Sequence, residues 1–432
     1  MRCPMNARDR HFLFLQGPHG PFFNALGARL RETGAGVARI GFNAGDEAFW
    51  SGPGYTPFNS DYEIWPEFLA EFTAKHGITD VVCYGASRPI HKIARAQAAD
   101  QNLTMHVFEE GYLRPYWVTY ERDGANASSP LMNLSLRDMA DALKGRTPNL
   151  TEAPDRWGDM REHMFWGAAY HFALFMGRKS YPGFRAHRTP DVRGEFWLHL
   201  RRFLSTPVRA SMRSLATTRL RFGGYPYHLV LLQLAHDANF RDYGPFPNQK
   251  AFLETVFQGF SQGAPGHHHL VLKAHPLEDN REPLKPLINS LTRKHGLQGR
   301  VHFLTGGKLA RVLDSASSAT TVNSTSAEQV LWRGLPLKAF GQSVYNRPEF
   351  VSNQPLPEFF AIPQTPDHKN YLTYRAFMLA TSQVPGGFYA MRNRRKLLRQ
   401  LPDLMLNPET PYARLQSTPN QDAAHQQHLR LL

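Results

Sequence analysis

Short apolar runs alternate with amphipathic stretches through the first 130 residues, and each run has the length of a strand. Residues 11–17 (HFLFLQG), 37–43 (VARIGFN), 79–85 (TDVVCYG) and 104–110 (TMHVFEE) read as strands. Between them, 21–33 carries Phe22, Leu26 and Leu30 at i, i+4 and i+8, and 63–75 and 91–100 read as further helices. Strands separated by helices of this length predict a parallel sheet covered by helices on both faces.

The same grammar returns after residue 225. YHLVLLQL, LVLKAHP, VHFLTG, TTVNS and PLKAFG read as strands, with helices expected near 252–260, 283–295, 309–314 and 327–333. The intervening stretch lacks strand signals and reads as helical (MADALKG, FWLHLRRFL, ASMRSLATTRLRF). A Pro-rich piece follows Gly341, then helices at 369–382 and 390–401 and a polar end. The expected organisation is a Rossmann-like acceptor or catalytic domain over 10–130 and a helical basic insert over 131–222. A second Rossmann-like domain follows over 223–345, then helices over 346–405 packing back on the N-terminal half and a disordered tail over 406–432. Two such α/β halves closed by C-terminal helices form the layout of the GT-B glycosyltransferases, an expectation of fold and not of chemistry.

Charge sharpens one part of this picture. The 432 residues hold 50 Lys plus Arg against 36 Asp plus Glu, a net +14. Eleven basic residues between Arg178 and Arg221 face only Asp191 and Glu195, so nine of the fourteen net charges fall in the helical insert. Such a segment suits nucleic acid, anionic lipid or an anionic substrate. Trp166, Phe172, Phe175, Phe184, Phe196 and Trp197 lie in or beside this region. Two cysteines, Cys3 and Cys83, exclude a disulfide scaffold. Neither an export signal nor a membrane-spanning run is legible, so a soluble or peripheral protein is expected.

Open α/β sheets bind ligands beyond the carboxyl ends of their strands. In the first half those positions hold Gln16 and Gly17, then Asn43 and Asp46, then Ser87 and Arg88, then Glu109, Glu110 and Arg114. Turn chemistry alone accounts equally well for Gln16 to Pro18. Glu109 and Glu110 should point to opposite sides of their strand, and Glu110, nearer the loop, is the better catalytic candidate. The alternative for this pair is a structural ion pair with Arg114. In the second half Lys273, His275 and Pro276 end an apolar strand, where a histidine can donate to a departing phosphate. Asn323, Ser324, Thr325 and Ser326 precede a helix, an arrangement suited to an anion or to ordinary N-capping. No Asp-x-Asp, GxGxxG or P-loop is present, and His267 to His269 lack ligand-like neighbours, so no metal and no cofactor are expected.

Taken together, LQGPHGPFF, GFNAGDEAFW, YGASRPIH, HVFEEGYLRPYWVTYERDGAN, LVLKAHPLED and TTVNSTSAEQVLWRGLPLKAFG resemble the capsule polysaccharide biosynthesis proteins of the KpsS/LipB type over residues 11–400. The resemblance implies a GT-B-like fold with two Rossmann-like domains facing a cleft. It implies a retaining, metal-independent β-Kdo transferase that moves 3-deoxy-D-manno-oct-2-ulosonic acid (Kdo) from CMP-Kdo to a lysophosphatidylglycerol acceptor. That enzyme would start a poly-Kdo linker, peripheral on the cytoplasmic face of a Gram-negative inner membrane, beside a second Kdo transferase and a capsule export complex. Under this resemblance the basic segment with its aromatics is expected to lie on anionic lipid headgroups, a solvated basic helix pair being the alternative. His275, Ser324 and Thr325 would then meet the CMP phosphate and Glu110 would occupy the catalytic acidic position. Lys273, Arg88 or Arg114 would hold the sugar carboxylate. Two departures stand out: Lys273-Ala274-His275-Pro276 replaces the relatives' Lys-His-His-Pro, and Tyr116 replaces an aspartate. Rivals are a sialyltransferase-like enzyme or sugar-nucleotide epimerase, and a non-catalytic capsule assembly component. Nucleic acid is the least expected partner, because no recognition motif accompanies the basic segment.

Overall fold

The computed structural model describes residues 6–147, 150, 160–177, 179–182, 218, 220, 222–234, 237–275, 278 and 282–416. The helices expected at 196–204 and over most of 210–222 lie outside the described residues, as do ten of the eleven basic residues of the insert.

In the first unit, β1 (His11–Phe14), β2 (Gly36–Gly41), β3 (Tyr55–Pro57), β4 (Asp80–Tyr84) and β5 (Thr104–Glu110) are parallel, and β6 (Trp117–Arg122) runs antiparallel to β5. Helices α1 (Phe22–Glu32), α2 (Ala44–Ala48), α3 (Trp65–Lys75) and α4 (Pro89–Asp100) connect the parallel strands, followed by α5 (Leu136–Ala142) and α6 (Met160–Met176). Successive strand residues point to opposite faces. Phe12 and Phe14 therefore pack with Phe22, Leu26 and Phe108 on one face, while Leu13 and Leu15 pack with Trp65, Val81 and Ile90 on the other. The expected strands and helices are present within two to four residues. Strands β3 and β6 were not expected; both are short or polar and lack an apolar run.

The second unit is an all-parallel sheet of β7 (Tyr227–Leu231), β8 (His269–Lys273), β9 (Val301–Leu304), β10 (Ala316–Thr321) and β11 (Leu337–Ala339), ordered β11-β10-β7-β8-β9. Its helices are α7 (Ala238–Tyr243), α8 (Gln249–Gly263), α9 (Leu284–Lys294), α10 (Leu309–Leu313), α11 (Ala327–Trp332) and α12 (Leu356–Ala361). A Cβ at Gly259 or Gly263 would fall 2.5 Å from Leu356 or 1.9 Å from the Pro357 carbonyl, so only glycine lets α12 lie this close to α8. The Pro-rich piece thus belongs to the second unit. The division between units falls inside α13 (His368–Thr381), at Leu372 and Thr373.

The chain after that point belongs to the first unit. Strand β12 (Gln383–Pro385) pairs antiparallel with β6, giving the order β12-β6-β5-β4-β1-β2-β3, and α14 (Met391–Leu398), α15 (Leu401–Leu406) and α16 (Pro411–Gln416) follow. Arginines of the sheet hold this segment. Arg10 pairs with Asp80 and donates to the Met405 carbonyl at 2.9 Å, and Arg122 donates to the carbonyls of Leu404 and Pro408 at 3.0 and 3.1 Å. The tail expected to be disordered from residue 406 is therefore ordered through Gln416; residues 417–432 lie outside the described residues. Its anchor is Tyr412, whose hydroxyl donates to the buried Glu121 carboxylate together with those of Tyr112 and Ser129.

Burial pushes Glu121 up to about 7 from an ordinary 4.5, against the three donors that favour its ionised form. A carboxyl raised on folding stabilises fully below its unfolded value and loses that contribution as pH rises through its folded one. Between pH 4.5 and 7 the wild type should therefore lose about 3 kcal/mol relative to Glu121→Gln, as urea unfolding at each pH would show. Parallel pH profiles for the two proteins would contradict this assignment.

Candidate functional site

In each sheet the strand order reverses beside the first strand, between β1 and β4 in the first unit and between β7 and β10 in the second. At such a reversal the two adjacent connections leave in opposite directions and open a crevice at the strands' carboxyl ends.

At the first crevice, Gln16 follows β1 and Arg88 follows β4, and the Arg88 guanidinium donates to Gln16 Oε1 at 2.6 Å while lying 5.6 Å from the Tyr84 ring centroid. Gln16 Nε2 donates in turn to the Tyr170 hydroxyl on α6 at 3.2 Å. That hydroxyl sits 3.0 Å from Asn43 Oδ1 and 3.2 Å from Asp46 Oδ1. Asn43 also caps α2 by accepting from the Asp46 amide. Burial raises the Asp46 carboxyl above its usual value, though Arg39 at 3.4 Å pulls the other way. Gln16, Arg88 and Asn43 are thus brought together. Gly17 is held by packing, since a Cβ there would lie 2.5 Å from the Phe23 ring. Ser87 is half-buried in the turn before α4.

Glu109 and Glu110 end β5 and diverge as strand alternation requires. Glu109 Oε1 accepts from Asn126 Nδ2 at 3.2 Å, whereas Glu110 Oε1 accepts from the Tyr84 hydroxyl at 3.3 Å and the Tyr389 hydroxyl at 3.2 Å. Burial, and then the neighbouring negative charges, raise both phenols well above 10, so they remain donors. Arg114 directs its Nε to the Gly111 carbonyl at 3.1 Å, within its own turn. His163 of α6 packs 4.3 Å from the Tyr389 ring, and His19 stacks on Tyr389 at 5.6 Å. Burial lowers His163, with Glu110 opposing that shift.

At the second crevice, Lys273 is buried at the end of β8 and His275 is half-buried two residues on; Pro276 lies outside the described residues. Asn323 exchanges two hydrogen bonds with Gln233, which follows β7, and donates to the Asn239 carbonyl at 2.8 Å. It therefore fixes the loop. Ser324 Oγ accepts from the Ser326 amide at 3.3 Å, and Thr325 and Ser326 are half-buried ahead of α11. Because β8 and β10 both flank β7, the His275 and serine loops start about 10 Å apart.

Sequence reasoning missed His19, Tyr84, His163, Tyr170, Tyr389 and Gln233. Tyr84 and Gln233 sit at strand ends, where polar residues after apolar runs were a usable signal. Tyr389 is 279 residues from Glu110, and no local pattern links them.

A doubly wound two-unit α/β protein with polar clusters at both switch points is thus defined. The chain belongs to the capsule polysaccharide biosynthesis protein family, whose model matches residues 79–389. It is 32% identical over 398 residues to the capsule polysaccharide modification protein LipB of Neisseria meningitidis serogroup A, covering 88% of this chain and 92% of that one. It is 26% identical over 389 residues to the capsule polysaccharide export protein KpsS of Escherichia coli, covering 88% and 97%. Among solved structures, the beta Kdo 2,7 transferase KpsC of Thermosulfurimonas dismutans aligns over 92% of this chain and 99% of its own, with a TM-score of 0.43 and 12% identity.

Tyr170 is the hub between Gln16, Asn43 and the buried Asp46. Tyr170→Phe should cost about 1–3 kcal/mol in chemical denaturation, because it leaves buried polar partners under-satisfied. An unchanged unfolding midpoint would show that the hydroxyl bonds nothing there.

Proposed function

We propose that this protein is a retaining glycosyltransferase that moves Kdo from CMP-Kdo to lysophosphatidylglycerol, starting the linker of a capsular polysaccharide glycolipid. The observation that carries the reading is the carboxylate of Glu110, held by two phenol donors at the end of β5, the strand beside the first switch point, in a chain whose second switch point presents Lys273, His275 and a serine-rich loop. Family membership supports the capsule setting.

In the reaction the bond between the anomeric carbon and the phosphate oxygen breaks, and CMP departs with the electron pair. His275, with the Ser324 and Thr325 loop, would meet that developing charge. A cationic side chain, Lys273, Arg88 or Arg114, would hold the sugar carboxylate. No metal or cofactor enters this proposal, since the leaving group carries a single phosphate. Retention follows if Glu110 forms a covalent adduct that the acceptor hydroxyl then displaces, or if the acceptor attacks from the face that CMP leaves. In both routes the acceptor oxygen gains the new bond and loses its proton to a base. Tyr84 and Tyr389 would orient the carboxylate in either case. Gln16, Gly17, Asn43 and Ser87 would line the sugar side. The lipid acceptor places the reaction at the inner face of an inner membrane, where a second Kdo transferase and an export complex would take the product onward.

Purified protein incubated with CMP-Kdo and a fluorescent short-chain lysophosphatidylglycerol should add one or more Kdo units, and CMP-sialic acid or UDP-sugars should not substitute. Glu110→Gln and His275→Ala should each lower the rate by about 100-fold or more. A folded wild type that transfers no Kdo overturns the proposal; transfer unaffected by either substitution overturns the assigned roles.

A further inference from the structure

Helix α6 is rich in apolar residues on both its sides, the packed one and the exposed one. His163, Trp166 and Tyr170 face the first crevice, where they meet Tyr389, Phe49 and Asn43. Met164, Phe165, Ala168, Phe172 and Met176 face outward, with Phe165, Phe172 and Met176 exposed by 61%, 62% and 65%. At 100° per residue these five positions span about 120°, a continuous apolar stripe. Exposed Phe and Met concentrated on one helix face mark an interaction surface, since scattered exposure would not align.

A second stripe lies on α14. Arg392, Arg395, Lys396 and Arg399 are exposed at i, i+3, i+4 and i+7 of α14 and just beyond it, while Leu397 and Leu398 enter the core. None of the four forms an ion pair among the described residues. The start of α6 contacts the residue that leads into α14: His163 packs 4.3 Å from Tyr389, and Ala390 is the N-cap of α14. Trp166, Leu397 and Leu398 also share one hydrophobic cluster.

We infer that the α6 stripe and the α14 stripe together form the docking face for an anionic lipid bilayer, Phe165, Phe172 and Met176 entering the acyl boundary and the four basic residues meeting headgroup phosphates. Apolar side chains flanked by unpaired Arg and Lys fit such a surface, which offers both a hydrocarbon boundary and negative charge. The complementarity is local to these helices, whatever the basic stretch 178–221 contributes. Docking also bears on the site, because the helix that meets the membrane carries His163 and Tyr170 at the crevice on its other side. The inference deepens the lipid-acceptor reading and rests on it for its purpose, though binding can be measured without turnover.

The full chain should cosediment with sucrose-loaded vesicles of 70% phosphatidylcholine and 30% phosphatidylglycerol and much less with phosphatidylcholine alone. Arg395→Glu with Lys396→Glu should lower partitioning at least ten-fold, given about five-fold per basic residue at an anionic surface. Phe165→Ser with Phe172→Ser should also lower it at least ten-fold. A Phe172→Trp protein should shift its emission to the blue on the anionic vesicles and be quenched by brominated lipid. Equal partitioning onto both vesicle types overturns the inference. So does loss of binding only with Arg201→Glu and Arg202→Glu, or a stripe that proves to be a dimer interface by light scattering. Transfer to the soluble short-chain acceptor separates the two proposals. Vesicle binding lost with that transfer retained removes docking alone, and binding retained without any transfer removes the transferase reading alone.

Discussion

A buried carboxylate with no water to solvate it must be met by donors, and Asp80 shapes the first unit around that requirement. Burial would raise its pKa, but hydrogen bonds from His106 and Arg10 outweigh that cost and hold it below the usual carboxylate range. His106 Nε2 lies 2.8 Å from Asp80, and its other ring nitrogen lies 2.8 Å from the Tyr120 hydroxyl. Arg10, fixed by this pairing, spends its remaining donors on the Met405 and Leu406 carbonyls. Arg122 does the same for the neighbouring turn. The C-terminal segment is thus tied to the sheet through its backbone carbonyls, with the Tyr412 hydroxyl on Glu121 as its side-chain anchor.

That tie decides the composition of the crevice. With α15 held on the sheet and β12 paired to β6, the short connection between β12 and α14 delivers Tyr389 to Glu110. A carboxylate held by two phenols differs from one held by a guanidinium, because neutral donors orient the oxygen and leave its charge available for a reacting centre. Asp46, only a few ångströms away from the Tyr170 hub, shows the contrasting arrangement, with Arg39 beside it. Two acidic groups of the first unit are thus held differently: Asp46 beside a guanidinium in the loop after β2, and Glu110 by two neutral hydroxyls at the end of β5.

Helix α6 joins this crevice to the outside. Its inner side adds Tyr170 to the polar network and Trp166 to the core, and its outer side leaves exposed the apolar residues that an ordinary surface helix would bury. The strong net charge is not confined to the insert: among the described residues, Arg392, Arg395, Lys396 and Arg399 of α14 and its end are exposed as well.

The sequence by itself determined the two parallel sheets, because alternating strand and helix periodicities are local properties with a physical cause in backbone geometry. It determined equally that Gln16, Arg88, Glu110, Lys273, His275 and Asn323 lie at strand ends, since a strand's end is marked by the residues around it. Strands β6 and β12 escaped because their stability comes from pairing, and a three-residue β12 carries no pattern of its own. The buried part of the tail escaped because Tyr412 is held by Glu121, 291 residues away. The partners of Glu110, the hub at Tyr170 and the exposed side of α6 were decided only by tertiary structure. Each depends on which distant segment is packed against which, and a hydrogen bond across hundreds of residues leaves no periodicity to read.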